Sequence, residues 1–141
     1  MTGPALDGRL LGAAIGFAVA SGYGARVAVR EDVPGEPLGI RAPGRVATHL
    51  ALAWGAGVSA PWPMPLTALG LALRRPSGAG PGTACIALGA ATLAGQLAEP
   101  VAWGRRPSSP AITRSLALNL ASCVALVLAG RRSVLTARPD R

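Results

Sequence analysis

Residues 83–103, TACIALGAATLAGQLAEPVAW, form an apolar run whose length decides what kind of fold the chain can adopt. As a helix the run is about 30 Å long, close to the thickness of the hydrocarbon core of a bilayer. Up to Gln96 its side chains are small or aliphatic, and lipid or a neighbouring helix accepts them without stranding a polar group. Glu99 breaks that pattern. A carboxylate inside a membrane segment costs about 2.5 to 3.5 kcal/mol on insertion scales, so it is expected to face a bundle interior, to find a partner, or to keep its proton. Pro100 has no N–H for the carbonyl four residues back, which predicts a free Gln96 carbonyl beside the Glu99 side chain. A plainer role is also open to Glu99. It precedes Trp103 by one turn, where its carboxyl would reach headgroup water.

The other apolar runs extend the reading to a whole fold. The predicted class is all-α: a polytopic membrane helical bundle with four transmembrane helices over about 9–29, 43–60, 83–103 and 111–129, and a short re-entrant or interfacial helix over 66–75. All belong to a single domain, 1–141. In the first helix Gly12, Gly16, Ala20 and Gly24 recur every four residues and give a smooth stripe for close packing. A cleaved secretory signal is the rival, with Arg9 ahead of the apolar run and Ala18-Val19-Ala20 as its cleavage pattern; Asp7 and the apolar residues beyond the site argue against it. Residues 30–42, REDVPGEPLGIRA, read as a loop in water, and Pro43 suits the first turn of the second helix. That helix must stop at PWPMP, because Pro61, Pro63 and Pro65 cannot all sit inside a continuous helix. The segment 66–75 is too short for a comfortable crossing. Ser109 and Pro110 read as N-cap and first residue of the last helix, which is expected to close at Gly130.

Charge agrees with membrane residence. Only 14% of the residues are charged, against about a quarter in soluble domains. The net charge of +8 comes from Arg alone, and pairs such as Arg74-Arg75, Arg105-Arg106 and Arg131-Arg132 flank apolar runs as anchors for lipid phosphates rather than forming a nucleic-acid face. Seven Arg fall near each membrane face, so charge does not choose an orientation. Cys85 and Cys123 lack a CxxC or a His-rich companion and read as small apolar fillers; no metal or cofactor motif is present.

With four crossings, the polar residues gather at one end. His49 and Glu99 are the candidate catalytic pair, since a carboxylate beside an imidazole supports acid/base chemistry or proton-coupled movement. Tyr23, Arg26, Gln96 and Asn119 are the candidate substrate-binding residues, with Arg26 placed to neutralise Glu99 or an anionic head group. Three functions follow. The default is a packing or assembly subunit, or a small transporter, without chemistry of its own. The second is a membrane-embedded isomerase, cyclase or hydrolase acting on a lipophilic small molecule. The third is a proton-coupled carrier using the same pair. Expected partners are the lipid bilayer, a lipophilic small molecule, and a further copy or membrane partner, with no nucleic acid; the expected localisation is multi-pass in a bacterial cell membrane.

Overall fold

Asp7 starts the first helix: its carboxylate accepts the backbone N–H groups of Arg9 and Leu10, each at 3.1 Å, which satisfies two donors that have no partner inside the helix. The computed structural model describes residues 6–41, 43–52, 55–74, 78–106 and 108–137, and among these it is all-helical. Five α-helices follow one another, α1 (Gly8–Arg30), α2 (Val46–Ala51), α3 (Pro63–Ala72), α4 (Gly80–Leu97) and α5 (Pro110–Thr136), with short 3-10 turns at Pro37–Gly39 and Pro100–Trp103. The expectations for Arg75 and for the basic tail at Arg138 and Arg141 lie outside the described residues.

Helices α1, α3, α4 and α5 close a ring, each packed on the next. Two apolar clusters show how it is oriented. One joins Leu10, Ala14 and Phe17 of α1 with Ala68 and Ala72 of α3, Cys85 of α4, and Cys123, Leu126 and Ala129 of α5. The other joins Ala25, Val27 and Ala28 of α1 with Leu50 of α2, Val58, Val101, and Ile112 of α5. The start of α1 therefore lies beside the ends of α3 and α5, and the end of α1 beside the start of α5. We call these the lower and upper halves.

The helix expected over 43–60 is not continuous. It runs only through Val46–Ala51 and then unwinds. Gly55 takes a left-handed φ of 70°, and a Cβ there would sit 2.8 Å from the Ser59 carbonyl, so the glycine is what allows the turn. The unwound stretch recovers hydrogen bonds from its surroundings: the N–H of Gly55 reaches the His49 carbonyl at 3.0 Å, and the N–H of Trp62 reaches the Leu50 carbonyl at 2.9 Å. The chain then resumes as α3. Pro63 and Pro65 do not end a helix; they sit in the first turn of α3, where the missing N–H groups would have no helical partner anyway. Together α2, the turn and α3 make one broken passage from the upper half to the lower, and the short segment expected to lie re-entrant is the lower part of that passage.

Two further boundaries differ from expectation. Helix α4 stops at Leu97, because Glu99 precedes a proline and is driven extended, with φ −80° and ψ 135°. The Gln96 carbonyl is thus not free: it accepts the Glu99 N–H at 3.2 Å. Helix α5 runs through Gly130 to Thr136. Gly130 is there for contact, since a Cβ on it would lie 2.7 Å from the Gly82 carbonyl of α4.

Helices α1 and α5 are long and apolar enough to cross a membrane. In α5 only 28% of the most apolar eighteen-residue stretch is buried, and Leu118, Val124, Leu128 and Leu135 project outward.

Candidate functional site

The upper half is assembled around the unwound turn. Ser115 of α5 donates its hydroxyl to the Val58 carbonyl at 3.1 Å, and Ser59 donates to the Ser21 carbonyl of α1 at 2.8 Å. Asn119 donates its amide to the Ala20 and Ser115 carbonyls at 2.9 and 3.0 Å. All of these side chains are buried. Gly24 makes room for them: a Cβ there would stand 2.3 Å from the Val58 carbonyl. Asn119 Oδ1 in turn accepts the Ser21 hydroxyl at 3.5 Å, so the whole amide is engaged between α1 and α5.

Two cavities flank the end of α4, and Glu99 lines both. The inner one, about 140 Å³, lies between the unwound turn with the start of α3 (Ser59, Pro61, Met64) and the last turns of α4 (Ala91, Thr92, Gln96, Glu99). The outer one, about 200 Å³, lies under the loop after α1 and includes Glu31, Asp32, Glu36, Glu99 and Arg106.

Glu36 corrects the picture of residues 30–42 as a loop in water. It is 3% exposed, because the loop folds over the end of the bundle. Its backbone N–H donates to Glu99 Oε2 at 2.7 Å, its carboxylate pairs with Arg106, and Arg41 Nε lies 3.8 Å from its second oxygen. Burial pushes the Glu99 carboxyl above its ordinary range; the Glu36 N–H opposes this, the Glu36 charge adds to it, and a positive His49 would draw it down.

The predicted site residues separate into four places, Asn119 lying between α1 and α5 as above. Gln96 and Glu99 share the inner cavity. Tyr23 and Arg26 line hollows on the outer side of α1 instead, Arg26 beside Ala47, Leu50 and Trp62. His49 is buried on α2 with Nε2 3.1 Å from the Pro43 carbonyl, so the ring ties down the loop that enters α2. His49 and Glu99 each have their own backbone partner, and among the described residues no hydrogen bond joins them.

Among the described residues the buried Glu36 Oε1 and His49 Nδ1 make no hydrogen bond, and Gln96 has two such atoms. It is 3% exposed, yet neither amide atom has a hydrogen-bond partner among the described residues. A buried amide left unpaired costs about 1 to 3 kcal/mol per group, so a native fold seldom keeps one without a use. Glu36 and Arg106 were not candidates from sequence; both read there as solvated or lipid-anchoring charges, and only the fold of the loop brings them to Glu99. Among the described residues no three His, Cys, Asp or Glu side chains converge as a metal donor set.

Comparison of the chain with protein-family models, with curated proteins and with solved structures finds no match.

Proposed function

We propose that the chain is a multi-pass membrane protein with four passages, the second broken at mid-depth, that conducts a small molecule through the cavity at the break and performs no covalent chemistry of its own. The observation that carries this reading is the break after Ala51 beside a cavity of about 140 Å³ whose lining includes the buried polar residues Ser59, Gln96 and Glu99. Discontinuous helices with polar groups at the break are how helical membrane proteins build binding sites, since irregular backbone is tolerated at depth only where protein or a cavity covers it. The outward apolar faces of α1 and α5 support lipid contact, and the ring closure of α3 and α4 between them supports four passages. The acid/base enzyme reading has less support, because among the described residues no hydrogen bond joins His49 to Glu99, His49 Nε2 lies on the Pro43 carbonyl, and the Asn119 amide is held by α1 and α5 backbone.

The experiment is solute flux in vesicles reconstituted with the full chain, using a panel of small uncharged solutes followed by light scattering. The expected result is faster equilibration than in protein-free vesicles, suppressed in Gln96→Leu and unchanged in His49→Ala. Equal rates with and without protein for every solute would remove the reading.

A specific observation also favours assembly with another chain. The stripe of small residues on α1 drifts about 40° per four-residue step around the helix. Gly24 consequently faces inward, while a Cβ at Gly12 or Gly16 would meet no neighbour within 4 Å. A stable oligomer in mild detergent, lost in Gly16→Leu, is the outcome this second reading expects.

A further inference from the structure

We propose that the hollow between α1 and α2 beside Trp62 is a binding site for one anionic phospholipid, its phosphate on Arg26 and Arg30 and an acyl chain along the seam between α1 and α3. The proposal rests on the membrane reading of the bundle and not on conduction at the break. The hollow measures about 480 Å³, and its apolar lining includes the buried Ala25 and Leu50. Arg26 and Arg30 are the only charged residues that line it, and both side chains are exposed, so a ligand reaches them without displacing protein.

Charge selects the headgroup. The two arginines stand one turn apart on α1, a spacing that lets two guanidinium forks share one phosphate. Glu31 lies with Tyr23 in the neighbouring hollow, and among the described residues neither arginine forms an ion pair. Neither shares a cavity with Glu99. A choline or ethanolamine headgroup would bring a further cation to a hollow without an acid. A headgroup with an uncharged alcohol, such as glycerol, adds none.

The rest of the ligand is specified by what lies below the arginines. Ile15, Val19, Gly22, Arg26 and Arg30 fall within an arc of about 80° on α1, with Ile15 and Val19 exposed. Gly22 marks where α3 joins this line, since a Cβ on it would lie 3.9 Å from the Trp62 ring. From Trp62 the exposed Leu66 and Leu73 continue downward on one face of α3. Ile15 lies about 16 Å below Arg26 along the helix, close to half the thickness of a hydrocarbon core. That is the reach of one leaflet's acyl chain. A soluble phosphate would use the arginines and leave the apolar line bare, whereas a phospholipid covers both, with Trp62 at the interface between them.

The test is native mass spectrometry of the full chain released from vesicles into mild detergent, with equimolar phosphatidylglycerol and phosphatidylcholine of identical chains. The expected result is one retained phosphatidylglycerol, favoured about tenfold over phosphatidylcholine. The preference should vanish in the double variant Arg26→Gln, Arg30→Gln and persist in Arg131→Gln, Arg132→Gln, which removes the same charge from the exposed lower end of α5. Ala47→Phe fills the hollow from an exposed position on α2 with both arginines in place, and is expected to weaken retention as well. The proposal is overturned if the two lipids are retained equally, if the Arg26 and Arg30 variant keeps phosphatidylglycerol like the parent, or if the Arg131 and Arg132 variant loses it as fully. Flotation of the chain with the vesicles separates the two failures: a chain that floats without lipid preference loses only this site, and a chain that does not float loses the membrane reading with it.

Discussion

The two halves of the bundle are built by different means. In the lower half, Phe17, Cys85, Cys123 and Leu126 are fully buried among alanines, and α4 and α5 approach so closely at Gly82 and Gly130 that neither tolerates a side chain. Packing alone holds it. In the upper half the second passage unwinds, Ser115 of α5 reaches across to its Val58 carbonyl, its own Ser59 reaches the Ser21 carbonyl of α1, Asn119 ties α5 to the Ala20 carbonyl of α1, and two cavities remain. The lower half gains by leaving no space, and the upper half spends hydrogen bonds to keep space open. That contrast is why the upper half is read as the site and the lower half as its support.

Substitutions can break the comparison in order of size. Leu126→Ala, in the dry half, is expected to destabilise the protein by about 3 kcal/mol, since it removes buried volume where close packing leaves little room to relax. Unfolding in mixed micelles would show it as a loss of global stability. Asn119→Ala is expected to cost less, about 2 kcal/mol, because it removes the buried hydrogen bonds between α5 and α1 without opening the lower core. Hydrogen exchange should place that loss where α1 meets α5 around Ala20 and Ser115 and leave α4 and the lower part of α5 protected; uniform loss in both variants would erase the distinction between the halves.

Glu99 gives a smaller, pH-dependent effect. Its folded-state carboxyl titrates above the ordinary value of 4.5, so the folded chain holds that proton to higher pH than the unfolded chain does. The stabilising contribution is complete below the ordinary value and is lost as pH rises from there through the raised value. Glu99→Gln should flatten this part of the stability profile. A profile with unchanged slope in the variant would assign the pH dependence to another group.

The same contrast explains what was legible in the sequence. Helix starts were legible where a side chain does the capping: Ser109 accepts the Ile112 N–H at 3.2 Å ahead of Pro110, as expected. The break after Ala51 was not legible, because residues 43–60 are apolar enough for a continuous helix and the turn depends on what Gly55 and Gly57 pack against. A Cβ on Gly57 would lie 3.1 Å from Val101. The continuation of α5 past Gly130 was hidden for a related reason, since a glycine that admits a neighbouring backbone reads, in one dimension, as a helix stop. Glu36 reads as a loop charge because the groups that meet it at the end of the bundle, Arg106 and Glu99, are distant in the chain. Gln96 and Glu99 were visible as neighbours on one turn; the cavity beside them was not, because its opposite wall is the break.

The most direct test of the account is the side from which two positions are labelled in the intact membrane. Ile40→Cys lies in the exposed loop above the upper half and Arg74→Cys at the lower end of α3, in a background carrying Cys85→Ala and Cys123→Ala. Four passages with a broken second one predict that a membrane-impermeant thiol reagent reaches the two cysteines from opposite sides. Labelling of both from the same side would mean that α2 and α3 do not carry the chain across, and would contradict the account.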